Sequence, residues 1–377
     1  MKIPFNRVDL QGNEIKYINK SVEKGHLSGD GYYTKKCSHI LEKSLNVSKV
    51  LLTTSCTHAL EMTAILADIQ PGDEVIIPSF TFVSTVNAFV LRGATPIFVD
   101  IRSDTLNLDE SQLESVITEK TKMIIPVHYA GVGCEMDEIL RIANKYNLIV
   151  VEDNAHGLFG KYKDKYLGTF GDFSTNSFHE TKNFTSGEGG ALVINDRKDI
   201  KRSEIIREKG TNRSAFFRGQ VDKYNWVDIG SSYLPSDILA GFLYAQFEKR
   251  NEIQSKRKKI WDYYNNNLGD WAKNINVKLP YIPDYCEQTY HMFYMLLPSL
   301  EVRTDFIKYM KKKNIACVFH YLPLNSSPMG NKFGWSTGDC PITETISDTI
   351  VRLPFYNDFL KDIDYVIEAI LNFKLNN

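Results

Sequence analysis

Two residues could do chemistry together. Asp153 closes an apolar run, LIVVE at 148–152, and Lys182 follows a second run, FSTNSF at 173–178, within His179-Glu180-Thr181-Lys182. In open parallel sheets, ligands gather beyond the carboxyl ends of strands, and two such ends here supply an acid and an amine. As a bare pair they carry little, because Asp153 could cap a helix and Lys182 could sit in solvent. A third stretch adds weight. TTSCTHAL at 53–60 places small and hydroxyl-bearing residues where an apolar run gives way to a helical pattern. Free backbone N–H groups and the positive helix end favour an anion at such a junction; a plain N-cap by Ser55 or Thr57 is the simpler use.

An anion site, a strand-end carboxylate and a strand-end amine together describe a pocket for pyridoxal 5′-phosphate. The lysine forms the Schiff base, and the carboxylate keeps the pyridine nitrogen protonated so that the ring can accept electrons. No metal is expected. The eight histidines show no i, i+4 pair, and His179-Glu180 is followed by Asn183 where a metalloprotease helix would need a second histidine. The six cysteines (Cys37, Cys56, Cys134, Cys286, Cys317, Cys340) include no C-x-x-C pair, which points to reduced thiols.

The elements that must position these residues alternate. Ile15, Ile18 and Val22 predict a helix over 14–24. Seven short apolar runs follow, at 50–54, 74–77, 96–99, 123–127, 148–152, 173–178 and 190–194, with helical patterns at 57–68, 84–92, 109–117 and 134–146 between the first five. Strand–helix alternation with near-continuous apolar strands predicts a mostly parallel sheet covered on both faces. The last two runs lie too close together for a helix, so an antiparallel or irregular link is expected there. One long helix is expected from about 236 to 268, and a smaller α+β unit beyond 270. The domain reading is 1–245, a large cofactor-binding unit with an N-terminal helical segment, and 246–377, a small C-terminal unit.

Composition limits the partners. The chain has 377 residues, 45 Lys+Arg against 46 Asp+Glu, and a net charge of −1. That balance provides no general field for nucleic acid or an anionic membrane surface. No apolar run approaches the ~20 residues that span a bilayer, and the N-terminus lacks a signal-peptide core, so a cytoplasmic location is expected. Any anionic ligand must be met by a local site.

Ordered blocks then carry a resemblance: SGDG at 28–31, TTSCTHALEM at 53–62, IQPGDEVIIPSFTFVST at 69–85, PVHYAG at 126–131, SFHETKN at 177–183, IIREKGTNRSAFFRGQVDKY at 205–224, DIGSSYL at 228–234 and VFHYLPL at 318–324. Over essentially its whole length the chain resembles the DegT/DnrJ/EryC1/StrS sugar aminotransferases. It is most similar to the branch that forms dTDP-4-amino-4,6-dideoxygalactose. The resemblance implies an aspartate aminotransferase-like, fold type I homodimer with a seven-stranded sheet and its active site at the subunit interface. It implies Lys182 as the Schiff-base lysine and Asp153 as the partner of the pyridinium nitrogen. Phe82 would stack on the ring; Cys56, through its backbone, Thr57 and Ser177 would hold the phosphate; and His156 would lie near the ring. The implied reaction moves an amino group from L-glutamate, leaving 2-oxoglutarate, to a dTDP-linked 4-keto-6-deoxy sugar through pyridoxamine 5′-phosphate, for a surface polysaccharide such as O-antigen.

The chain also departs from the family pattern. Many relatives have G-Y-N-Y-R-M where Gly230-Ser231-Ser232-Tyr233-Leu234-Pro235 stands here. Ser232 would replace, with a shorter side chain, the asparagine that reaches across the dimer to the phosphate. The 207–224 segment, with Arg207, Lys209, Arg213, Arg218 and Lys223 among Phe216, Phe217 and Tyr224, suits a sugar diphosphate and a thymine or sugar face, Arg213 above all; a solvated loop is the plain alternative. Asp30 in SGDG, with His320 and Tyr321, is assigned to the sugar end. The basic runs at 256–259 and 311–313 read as solvated helix faces.

Four rival readings stand beside this one. A dehydratase relative would have histidine in place of Lys182. A 3-aminotransferase, or a 4-aminotransferase giving the gluco epimer, shares the same residues. A nicotinamide oxidoreductase has only Gly131-Val132-Gly133-Cys134-Glu135-Met136 as a trace. A regulatory protein of the same fold would need a DNA-binding segment, which the sequence does not display.

Overall fold

The computed structural model describes residues 2–374. The seven expected runs form one sheet: β1 (Lys49–Thr53), β2 (Glu74–Pro78), β3 (Thr95–Val99), β4 (Thr121–Ile124), β5 (Ile149–Asp153), β6 (Phe173–Ser177) and β7 (Gly190–Ile194). Their order across the sheet is β1-β7-β6-β5-β4-β2-β3. β7 runs antiparallel to both neighbours, β1 and β6, as the short link to β6 requires; the remaining pairs are parallel.

Both faces of the sheet are buried, which is why the strands read as continuous apolar runs rather than alternating ones. Neighbouring side chains point to opposite faces. Val151 joins a core with Leu51, Val75, Leu60 and Phe89, whereas Val150 joins one with Ile76, Ile139 and Ile142. Of helices α1 (Glu14–Glu23), α2 (Tyr32–Leu45), α3 (Cys56–Leu66), α4 (Val83–Val90) and α5 (Met136–Tyr146), all but α2 fall where the periodicity places helices; α2 is one the sequence reading did not predict. The expected 109–117 helix is shorter, a 3₁₀ turn at Glu110–Gln112 leading into Leu113–Val116.

The single helix expected over 236–268 is two, α6 (Asp237–Glu248) and α7 (Arg250–Asn274), with Lys249 between them at ψ 15°. Neither Gly nor Pro marks the break, so the sequence carries no signal for it. α6 buries Ala240, Leu243 and Phe247 beside Tyr33 and Leu41 of α2. From α7 a second core begins, uniting Ile260, Tyr264, Phe293, Phe306, Val351 and Ile370. A two-stranded sheet lies in it, β8 (Tyr294–Leu296) antiparallel to β9 (Ile350–Arg352), with Tyr294 opposite Arg352.

The first residues belong with this second core, not with the large unit to which the sequence reading assigned them. Ile3 packs into it, the Ile3 N–H donates to Asn314 O (2.9 Å), and the Phe355 N–H donates to Phe5 O (3.1 Å). A second correction concerns the 256–259 basic run. Arg257 is not solvated but 3% exposed, and its guanidinium donates to Tyr290 O (3.0 Å), His291 O (2.5 Å) and Asn357 Oδ1 (3.1 Å). Among the described residues no helix is long and apolar enough to cross a membrane, and all six cysteines are free.

Candidate active site

The carboxyl ends of β5 and β6 converge with the end of β1 and the start of β7. A cavity of ≈ 500 Å³ opens there, lined among others by Cys56, Thr57, Phe82, Asp153, His156, Ser177, Lys182, His320 and Tyr321. One pocket thus gathers nine of the residues singled out from the sequence, drawn from five separate stretches of chain.

β5 ends in two acids, and the strand's period of two separates their duties. Glu152 is fully buried. It accepts the N–H groups of Gly168 (2.7 Å), Phe170 (2.7 Å) and Gly171 (2.9 Å), and pairs with His128 Nε2 (2.9 Å), so it fixes the loop entering β6. Asp153 faces the pocket. Its Oδ2 accepts from the Thr85 hydroxyl (2.7 Å), which also touches Thr81 (2.9 Å), and its Oδ1 accepts from the Ala155 N–H (3.1 Å). Burial pushes the Asp153 carboxyl up, while the Thr85 and Ala155 hydrogen bonds and the charge of Lys182 oppose that rise.

Lys182 sits on the turn after β6, its backbone N–H donating to His179 O (2.9 Å). Burial lowers its amine to about 8; Arg352 adds to the lowering, and Cys56 and Asp153 act against it. His156 stacks on His291 with ring centroids 4.2 Å apart at 17°, and His291 Nδ1 meets Asn183 Oδ1 at 2.9 Å. His320 Nδ1 meets the Tyr129 hydroxyl at 2.9 Å. Burial holds all three histidines well below the usual imidazole range, so they are neutral at pH 7.

The anion end is built by α3. Ser55 is its N-cap, the Oγ accepting from the His58 N–H (3.0 Å), which leaves the N–H groups of Cys56 and Thr57 at the head of the helix facing the cavity. Thr57 Oγ1 donates to Ser84 Oγ (2.9 Å), tying this end to α4. β7 begins with Gly190 against this turn, so closely that any Cβ there would overlap the backbone of Ser55 and Cys56. Burial pushes the Cys56 thiol well up, which makes it no nucleophile.

Three expected residues lie outside this pocket within the chain. Asp30 (φ 59°) is held by the Arg207 guanidinium, at 2.7 Å to each carboxylate oxygen. Arg213 is exposed, pairing with Glu208 (3.0 Å) and covering the Phe217 ring at 5.1 Å. Ser232 is exposed, its strand-like bridge made to Glu208. Conversely, the pocket contains Thr85, His291 and Arg352, which sequence reasoning did not single out. Thr85 lies within the IIPSFTFVST block, where a signal existed; His291 and Arg352 are brought in by the second core.

The residues fit pyridoxal 5′-phosphate. His156 Nδ1 is buried without a hydrogen-bond partner, as expected of a pocket completed by a bound group. The head of a helix, a buried carboxylate and a buried amine of lowered pKa occupy three corners of one cavity. Fold and pocket together define a pyridoxal-phosphate-dependent enzyme of fold type I.

The comparisons sharpen the class. The pattern of the DegT/DnrJ/EryC1/StrS aminotransferase family matches residues 8–371, and the chain belongs to that family. The GDP-perosamine synthase of Escherichia coli O157:H7 is 32% identical, with 98% of each chain covered. The spore coat polysaccharide biosynthesis protein SpsC of Bacillus subtilis is 29% identical over 98% of this chain and 96% of its own. Among solved structures, the pyridoxal-phosphate form of a protein described as a sugar aminotransferase, Spr1654 of Streptococcus pneumoniae, superposes with a TM-score of 0.90. It is 27% identical, with 98% of this chain and 97% of that one covered.

Proposed function

We propose that this chain transfers the amino group of L-glutamate to the keto carbon of a nucleotide-linked 4-keto-6-deoxyhexose, in the synthesis of a surface polysaccharide. The observation that carries this reading is the meeting of Lys182, Asp153 and the α3 N-terminus in one cavity. Pyridoxal 5′-phosphate, when bound, supplies the electron sink for the carbon that loses its proton. Cys56 and Thr57, with Ser177, would hold its phosphate at the helix end. Asp153 would face its ring nitrogen, and Phe82 and His156 would line its ring.

Lys182 is the proton carrier. Its amine, lowered to about 8, is near the working pH, where a base serves best. It takes the proton from the donor's Cα and later returns one to the sugar carbon, and the face it serves sets the axial or equatorial product. The second subunit completes the site. Phe217, Tyr224, Trp226, Val227 and Ile229 leave a large apolar surface exposed on the segment carrying Arg213 and Ser232, and a second copy of the chain would cover it and bring those two residues to its pocket.

The sugar is read as dTDP-linked, with the galacto product. A GDP-linked substrate is the second reading, favoured by the name of the E. coli relative. Incubation with L-glutamate and the dTDP-, GDP- or UDP-linked 4-keto-6-deoxy sugar, followed by NMR, tests both: the H3–H4 coupling separates axial from equatorial amine. Success only with a 3-keto isomer would overturn the regiochemistry.

A further inference from the structure

We propose that His291 is a positioning residue, which holds the His156 ring in plane against the cofactor and is itself held by Asn183, the residue after Lys182; this inference rests on the aminotransferase reading above. Lys182 and His156 stand on different loops, beyond the ends of β6 and β5. The ladder between those strands ends with Asp153 opposite Thr175. Past that point the two loops are joined from the side, by residues 289–291 on the chain that leads into β8.

Three consecutive residues make the join. The Thr289 hydroxyl donates to His156 O (2.6 Å), and Thr289 O accepts from Asn183 Nδ2 (2.8 Å). His291 closes the circuit with its side chain, bonding Asn183 Oδ1 through Nδ1 (2.9 Å) and stacking on His156. From behind, the Arg257 guanidinium of α7 donates to Tyr290 O and His291 O. Thr289, His291, Asn183 and His156 are all buried, so none of these contacts competes with open solvent.

The network also places a proton. Asn183 Nδ2 faces a backbone carbonyl, which only accepts, so Asn183 Oδ1 is the acceptor toward His291. The proton of a neutral His291 ring therefore sits on Nδ1, and Nε2 carries none. Burial holds this imidazole well below its usual range; His156 and the cations Lys182, Arg257 and Arg352 add to the lowering, and no carboxylate is among the groups that act on it. One tautomer in one plane gives His156 a rigid backing. The His156 ring lines the cavity, with its Nδ1 buried and unpartnered. Without the backing that ring can turn about its side-chain bonds, and a misplacement of about 1 Å near a reacting centre costs up to about 100-fold in rate. Because the cofactor serves both half-reactions, both should suffer alike.

The proton can be read without cofactor or substrate. In cofactor-free protein carrying isotope-labelled histidine, long-range proton–nitrogen NMR correlations should show His291 neutral and protonated at Nδ1 at about pH 6, below the ordinary midpoint of the group. In Asn183→Ala the acceptor is gone, and the proton should redistribute between the two ring nitrogens. In the loaded enzyme, each half-reaction is followed by bleaching of the yellow absorbance, with L-glutamate or with the amino-sugar nucleotide. His291→Ala should slow both to the same extent, by about 10- to 100-fold per bound cofactor, and should shift the visible band. His291→Leu, which fills the space without a flat face, replaces the alanine variant if that one does not fold. His291→Phe, which restores a flat ring against His156, should recover most of the loss. A residue that served stability alone would leave the band and the rate per bound cofactor unmoved, and that result overturns the inference, as does a wild-type His291 protonated at Nε2. Wild-type enzyme that no amino acid bleaches refutes the aminotransferase reading instead, and leaves the proton on His291 where the NMR finds it.

Discussion

The Thr85 hydroxyl donates a 2.7 Å hydrogen bond to Asp153 Oδ2 across 68 residues of sequence, so the first turn of α4 reads out the ionisation of a strand-end acid on β5. Burial alone would favour the protonated acid, and this hydrogen bond is the largest opposing influence.

Replacing Thr85→Val keeps the shape and removes the donor, so the Asp153 carboxyl should titrate at higher pH than in the wild type. Asp153 must be ionised to face a protonated ring nitrogen, so activity is lost as pH falls through its pKa. The acid limb of the kcat profile should therefore move to higher pH in the variant. Loss of a hydrogen bond to a buried charged group should also cost roughly 1.5–3 kcal/mol of stability. An unmoved acid limb would show that Asp153 does not control it.

The Lys182 amine is lowered to about 8, chiefly by burial. A lowered lysine pKa means that the neutral, nucleophilic form already prevails above that value. In cofactor-free protein, the rate of covalent capture of added pyridoxal 5′-phosphate should rise with pH through about 8 and then level off. Stopped-flow absorbance across pH 6–10 measures this, and a rate still climbing at the upper end would contradict the lowered value.

Much of this site is local in sequence, and that is why it could be read. Asp153, Lys182 and the Ser55 turn each sit where an apolar run ends, so strand-end logic finds them one at a time, and the sheet only has to bring the ends together. The helix break at Lys249 has no local marker, because neither Gly nor Pro stands there. Arg352 and His291 enter the pocket through the packing of the second core against the first, a long-range event that leaves no periodicity. Arg257 misled for a related reason: a basic cluster looks solvated until the fold supplies carbonyls for it. Asp30, assigned to the sugar, is taken by Arg207, a partner 177 residues away.

Gly190→Ala should damage cofactor binding without touching any side chain of the pocket. The added Cβ would overlap the backbone of Ser55 and Cys56, and backbone cannot step aside as a flexible side chain can. The head of α3 would be displaced, and its N–H groups with it. We expect pyridoxal 5′-phosphate affinity to fall at least tenfold in an absorbance titration, with a stability loss of about 1–3 kcal/mol. Unchanged affinity would mean that the phosphate does not rest on this turn.

Arg257→Ala tests the correction to the basic run on α7. A solvated lysine-rich face tolerates such a change within about 0.5 kcal/mol. The buried guanidinium instead ties α7 to Tyr290 O, His291 O and Asn357 Oδ1 and covers the Phe355 ring at 4.8 Å. Its removal strands several acceptors and opens a void, which should cost about 3 kcal/mol, read from the urea midpoint at constant m. Because His291 follows directly from the Tyr290 carbonyl and stacks on His156, the cavity wall should loosen as well, raising KM for both substrates more than it lowers kcat. A variant as stable as the wild type would restore the solvated reading of the run.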